Sequence, residues 1–318
     1  MGWPQQCALT DRERLPAGPV SRRPWRRLGA RSTPAPVRPG RHRTGGPGPR
    51  RRGRQFPKRR VAPAVAGRGA QQCRRGLARR DHGSGLNVSL AVSPGLQLEP
   101  FWIHSQNPGL RSGGRVGPDL RDTVGVRLSW RQGDVRFDWT LAHQRGRGLQ
   151  REANAWGLFA VQSMALSEHA WKPRLTSHID LATGGAYGNP TFKGFNQLYA
   201  SCGYLGEGQF LSLSNLIMVA PGVAVTPTPR TTLALEYGFA RRLSARDAAY
   251  AGAMRPYAGT QHLPGRAIGG LLRVSGSWSA SRQATLFANL EHFTAGQLLR
   301  RARLGSASYV HVGAAWRY

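Results

Sequence analysis

From about Leu86 onward the chain alternates apolar and polar residues with a period of two. In Val124-Gly125-Val126-Arg127-Leu128-Ser129-Trp130 the even positions are apolar and their neighbours are small or charged. Gln132-Gly133-Asp134 then offers a turn, and Val135-Arg136-Phe137-Asp138-Trp139-Thr140-Leu141 repeats the pattern. Successive side chains of a strand point to opposite faces, so this pair reads as a β-hairpin with one apolar face. Similar segments lie at about 87–93, 96–105, 153–167, 172–182, 213–227, 230–242, 266–280, 283–294 and 307–318. Together they give about eleven strands, many near ten residues or longer, which suits tilted strands that cross a bilayer. The fold class expected is all-β: an antiparallel transmembrane β-barrel over 86–318, incomplete because single-chain barrels normally have an even strand number. No run approaches the ~20 apolar residues of a spanning helix.

Residues 1–85 differ in kind. The first 80 residues hold 22 of the Lys and Arg residues against 2 acidic ones, and 11 prolines but only 3 aromatics. So few apolar groups cannot offset the entropy of ordering a backbone, and we expect a disordered Arg/Pro/Gly-rich segment. Two origins stay open for it: a polybasic arm, or the out-of-frame translation of GC-rich DNA, which also yields Arg, Pro, Gly and Ala. A nucleic-acid-binding protein is the corresponding alternative function. No aromatics interleave with the charges to stack on bases, so no nucleic-acid partner is expected. The first ten residues lack a basic stretch followed by an apolar one and do not read as a secretory signal peptide.

Chemistry is sparse. Cys7, Cys73 and Cys202 form no C-x-x-C pair, no metal-ligand spacing occurs, and no cofactor is expected. No nucleophile elbow, zinc-protease helix or phosphate loop is present, and adjacent Ser177 and His178 would face opposite sides of a strand. No enzyme is expected. Along the strands the polar face carries Arg127, Arg131 and Arg136 with Asp138, then Arg174, Asp180, Glu236, Arg273, Asn289, Glu291, His311 and Arg317. Arginine exceeds acid in this set, which favours an anionic solute. Arg127, Arg131, Arg136, Arg174 and Arg273 are the candidates for holding carboxylates through paired hydrogen bonds, with Asp180 and Arg317 as further pore-lining positions. Trp130, Trp156, Trp171, Tyr237, Phe239, Trp278, Phe293 and Trp316 sit near strand ends, where interfacial girdles occur. The long stretches 183–212 and 243–265 read either as segments folded over or into the lumen or as mobile extracellular loops.

Residues 172–318 resemble the alginate export family of outer-membrane barrels. The resemblance is carried by Pro173-Arg174-Leu175 with Asp180-Leu181-Ala182-Thr183-Gly184, by Phe195-Asn196-Gln197-Leu198-Tyr199, by Tyr204-Leu205-Gly206 and by Ser214-Asn215-Leu216-Ile217. His292-Phe293-Thr294-Ala295-Gly296-Gln297-Leu298-Leu299-Arg300 and the ending Trp316-Arg317-Tyr318 complete it. The resemblance implies an outer-membrane location and export of an anionic polysaccharide, alginate or similar, with a general anion-preferring porin as the alternative. Val310, Val312, Ala314, Trp316 and Tyr318 share one face of the last strand. That ending resembles the signal read by the barrel-assembly machinery, which would be a partner along with outer-membrane lipid and lipopolysaccharide.

Overall fold

In the computed structural model the described residues are 67–68, 82–112, 115–185, 187, 189–198 and 203–317. The readings made for residues 1–66 and 69–81, and for Tyr199, Cys202 and Tyr318, lie outside them.

The described residues form, besides a separate two-stranded sheet, one large antiparallel one. Its strands are β1 (Gly67–Arg68), β2 (His82–Asn87), β3 (Leu90–Ser93), β4 (Leu96–Ser112), β5 (Arg115–Gln132), β6 (Val135–Gly148), β7 (Arg151–Ala165), β8 (Arg174–Ala182), β9 (Leu216–Thr228) and β10 (Thr231–Arg241). The short pair β11 (Tyr250–Ala251) and β12 (Arg255–Pro256) follows, then β13 (Ala267–Ser279), β14 (Ala284–Ala295), the helical turn α1 (Gln297–Arg301) and β15 (Ala307–Trp316). The sheet has 13 strands in the order β1-β2-β4-β5-β6-β7-β8-β9-β10-β13-β14-β15, with β3 beside β4. Apart from β11 and β12, each strand pairs with its neighbour in sequence, an up-and-down meander. Among the described residues no ladder joins β15 back to β1 or β2.

Each segment read from the period-two pattern is a strand. The first begins at His82, ahead of residue 86. β2 and β3 are one strand in register, since Asn87 faces Phe101 and Leu90 faces Leu98. The ladder lapses between them at Pro100, which has no N–H to donate, although Val88 N–H still donates to the Pro100 carbonyl at 3.1 Å.

The ladders fix which side chains share a face. One face is apolar and open: Leu233, Leu235, Tyr237 and Phe239 on β10, Val274 and Trp278 on β13, Leu286 and Leu290 on β14, and Val310, Val312 and Trp316 on β15 are all exposed. The other face carries the polar residues and is covered in part by the two long connections. Exposed apolar rows of this extent cannot face water; hydrocarbon satisfies them, and the backbone polar groups are met within the ladders. Phe293 corrects the girdle reading. It is 2 % exposed and stacks on Phe210, with centroids 5.5 Å apart. The alternation that turns Glu291 inward also turns Phe293 inward.

The two ends of the sheet differ. At one end the connections are short: 94–95, 133–134, 166–173, 229–230 and 280–283. At the other, 183–215 and 242–266 are long. Outer-membrane barrels keep short turns in the periplasm and long loops outside. On the apolar face, Leu235→Arg is expected to destabilise the protein by about 2–4 kcal/mol, the cost of a cation near the bilayer midplane. Urea unfolding from neutral vesicles measures it, and an unchanged midpoint would place Leu235 away from lipid.

Candidate pore lining

The inner face is built by alternation along β4 to β15. Cross-strand pairs set Arg127 beside Glu99, Arg131 beside Arg136, Asp180 beside Met218, Glu236 beside Arg273, Arg273 beside Glu291, and Asn289 beside His311. Arg174 lies on the same face of β8 as His178 and Asp180. Arg317 follows β15 at the short-turn end, exposed, its N–H donating to the Gln283 carbonyl at 2.8 Å.

Three charged clusters result. Near the long-loop end, Arg121 is fully buried. Its Nε donates to both Asp119 oxygens at 2.8 and 3.0 Å, and Nη1 donates to Gln144 Oε1 at 2.9 Å and to the Gly194 carbonyl at 2.7 Å. The guanidinium also lies over the Phe192 ring, 4.7 Å from its centroid. In the middle of the sheet, His178 sits between Asp180 at 2.6 Å and Glu236 at 3.1 Å, and Arg273 Nη2 pairs with Glu236 at 2.9 Å. Towards the short turns, Arg127 bridges Asp138 and, at 3.1 Å, Glu99.

The five candidate arginines therefore fall into two groups. Arg127 and Arg273 are bound to carboxylates of the wall itself. Arg131, Arg136 and Arg174 gather at the short-turn end. Arg174 Nη2 donates to Ser163 Oγ at 3.0 Å and to the Asp134 carbonyl at 3.2 Å. Ser163 is the cross-strand partner of Arg136, and Arg136 that of Arg131.

The connection 183–215, which contains the stretch 183–212 that the sequence left open between two readings, lies across the inner face. Asn196 donates to Asp119 at 3.0 Å and exchanges bonds with Gln144, its N–H to Oε1 at 2.8 Å and its carbonyl with Nε2 at 2.7 Å. Phe195 is fully buried edge-on against Phe159. Tyr204 Oη donates to Asp180 at 2.7 Å, and its carbonyl accepts from Arg273 at 2.8 Å. Burial first, and the negative charge of Asp180 second, raise the Tyr204 phenol above its ordinary value, so it stays a donor. Glu291 accepts from the N–H groups of Glu207 at 2.6 Å and Gly208 at 3.0 Å. This approach needs glycine at 206: its φ is +116°, and a Cβ there would lie 2.6 Å from the Glu291 carboxylate. The segment thus spans from β5 to β14. The second stretch, 242–266, is held by buried Arg242 and Asp247. Asp247 accepts from Gly185 N–H at 2.5 Å and from Tyr250 Oη at 2.8 Å, tying the two connections together.

These groups hold one another. Among the described residues no cluster of His, Cys, Asp or Glu is arranged to hold a metal ion. What the arrangement offers is a polar face behind a lipid-facing one, with a segment laid across it. The alginate export family model matches residues 79–312. The chain belongs to the alginate export family. It is an outer-membrane β-barrel of the channel-forming, export kind. No curated protein matches the sequence. Among solved structures, similarity of shape is faint. An outer membrane channel from Pseudomonas putida F1 shares 12 % identity over 74 % of this chain and 81 % of its own, with a TM-score of 0.34. The Salmonella typhi outer membrane phospholipase dimer with bound calcium shares 10 % over 74 % and 78 %, TM-score 0.32. A protein solved in work on in-meso crystallization of membrane proteins shares 7 % over 77 % and 79 %, TM-score 0.36. At such scores these likenesses carry no weight in reading function.

The family motifs fall on the inserted segment and its anchors. Asn196, Tyr204, Gly206 and Asn215 make its bonds, and Asn215 fastens the second connection through Ser244 and Ala248 at 2.7–3.0 Å. The sequence reading missed Arg121, Asp119, Gln144, Glu99 and His178. All stand on the same face as the residues it did choose, so strand parity was the signal available.

Proposed function

We propose that this member of the alginate export family is an outer-membrane channel exporting an anionic polysaccharide, alginate or a similar polyuronate, with the periplasmic mouth as the receiving site. The observation that carries the reading is the cluster of Arg131, Arg136 and Arg174 at the short-turn end. Each repeat of a polyuronate presents a carboxylate, and guanidinium matches that group with two parallel hydrogen bonds. A cationic patch at the mouth, with Arg131 exposed and Arg136 and Arg174 half-buried, raises the local concentration of a polyanion. Deeper in, Arg127 and Arg273 are already partnered by acids, so they offer weak, exchangeable contacts and not traps, which suits passage. The C-terminal strand, with Val310, Val312 and Trp316 outward, supports recognition by the barrel-assembly machinery.

Planar-bilayer recording with the full chain tests the proposal. Chloride is expected to pass in preference to potassium, and a uronate oligomer is expected to block current from the short-turn side. Replacing Arg131, Arg136 and Arg174 with glutamine is expected to slow onset of that block by about tenfold. Cation selectivity, or block indifferent to the three arginines, contradicts it.

A further inference from the structure

At the long-loop end the two long connections enclose a cleft of about 380 Å³, between 208–210 of the first and 251–257 of the second. We infer that, in the channel proposed above and resting on that reading, this cleft is an exit subsite for one uronate unit of the exported chain, its sugar ring against Tyr257 and Phe210 and its carboxylate on Arg255. Backbone bonds between the connections build the cleft. Gly252 N–H donates to the Gln209 carbonyl at 2.9 Å, and Tyr257 Oη donates to the Phe210 carbonyl at 2.8 Å. The pair β11 and β12 sets Tyr250 opposite Pro256 and Ala251 opposite Arg255. Arg255 and Tyr257, two residues apart, both line the cleft. Gln209, Ala253 and Met254 hold left-handed φ values of +53°, +58° and +55° without being glycine. Such conformations persist only where the surroundings impose them, and they gather at ligand-binding surfaces.

Arg255 differs from the arginines of the wall. Its side chain is exposed, and its Nε donates to the Gly252 carbonyl at 3.1 Å, which orients the guanidinium. Among the described residues no carboxylate pairs with it, whereas Arg127 and Arg273 are bound by Glu99, Asp138 and Glu236. The acids nearby are engaged elsewhere. Glu291 is held by the N–H groups of Glu207 and Gly208, and Asp247 is buried against Gly185 and Tyr250. Glu207 is turned back over Gly203, where a Cβ would lie 2.2 Å from its Oε1. Burial raises the Tyr257 phenol above its ordinary value, and the positive charge of Arg255 opposes that rise, so the two groups feel each other across the cleft. The volume falls in the ~300–1,000 Å³ range of small-ligand sites. Its chemistry selects a uronate. Sugar C–H groups carry partial positive charge and settle on the negative faces of aromatic rings, while guanidinium matches a carboxylate with two hydrogen bonds. Phosphate would use Arg255 and gain nothing from the rings. A neutral sugar would use the rings and not Arg255.

Isothermal titration of a uronate trisaccharide into the full chain in detergent micelles tests this, with Arg131, Arg136 and Arg174 replaced by glutamine so that the mouth does not contribute. Binding is expected to persist in that background and to weaken about tenfold with Arg255→Gln, the loss of one hydrogen-bonded charge. The same trisaccharide with its carboxyl groups reduced to alcohols is expected to bind about tenfold more weakly, and inorganic phosphate at equal concentration is expected not to displace the uronate. Absence of binding in the background chain overturns the inference. So does equal affinity for the reduced trisaccharide, which needs no change at Arg255 and holds whether or not Arg255→Gln folds. Affinity unmoved by Arg255→Gln, or displacement by phosphate, also overturns it. The selectivity and block recorded above are read at the short-turn arginines. Cation selectivity with intact binding at the cleft would therefore sink the channel reading, and anion selectivity with no binding at the cleft would sink the subsite alone.

Discussion

Replacing Arg121 with methionine is expected to destabilise the protein by about 3–5 kcal/mol, the cost of stripping one partner from a buried ion pair. The guanidinium is fully buried and satisfies Asp119, Gln144 and the Gly194 carbonyl together. Methionine fills the volume but leaves the Asp119 carboxylate, itself 1 % exposed, with Asn196 as its remaining side-chain donor. The loss is also local. Arg121 sits on β5 and Gly194 on the inserted segment, so the variant frees one end of that segment. Urea unfolding from vesicles reads the first effect, and protease cleavage between Asn189 and Leu198 reads the second. Native stability together with native protection would remove Arg121 from its role as anchor.

Freeing the other end is expected to change conduction. The double variant Tyr204→Phe, Glu291→Gln removes the bond to Asp180 and weakens the two N–H contacts of Glu291. Hydrogen bonds to charged groups contribute roughly 1.5–3 kcal/mol each. A combined loss of about 3 kcal/mol shifts the balance between the seated and displaced segment by about a hundredfold. Single-channel recordings are expected to show longer and larger openings than the native chain. Unchanged current would mean that the segment, though bound across the inner face, does not obstruct the path. Tyr250 backs the seated arrangement from the second connection: burial first and the charge of Asp247 second hold its phenol well above the ordinary value, so it stays a donor to Asp247 across the working pH range.

The strands were legible because a half-exposed sheet writes its geometry directly into the chain. Arg127, Asp138, Asp180, Arg273 and Glu291 share a face through parity alone, which needs no knowledge of neighbours. What parity cannot supply is pairing. That Arg127 is bound by Glu99 and Asp138, or that Asp180 receives Tyr204, depends on contacts 11 to 28 residues apart in sequence. Asp119 and Asn196 are 77 residues apart, and nothing in either segment announces the other. The same gap explains why 183–212 stayed open between two readings. Its Gly, Asn and aromatic content marks a long loop, whereas its position over the inner face follows from Phe195, Tyr204 and Gly206 finding partners on distant strands. The motif resemblance singled out those residues without stating what they touch. Phe293 was misread for a simpler reason: nearness to a strand end outweighed its parity with Glu291.

Which face of the sheet meets lipid decides where every strand's side chains lie. Single cysteines at Leu233, Leu235, Thr232 and Ala234, labelled with a small fluorophore in the full chain reconstituted in vesicles, test that directly. Acyl-brominated lipid is expected to quench labels at 233 and 235, and aqueous iodide those at 232 and 234. Quenching without alternation, or with the two quenchers exchanged, would contradict the assignment of every strand.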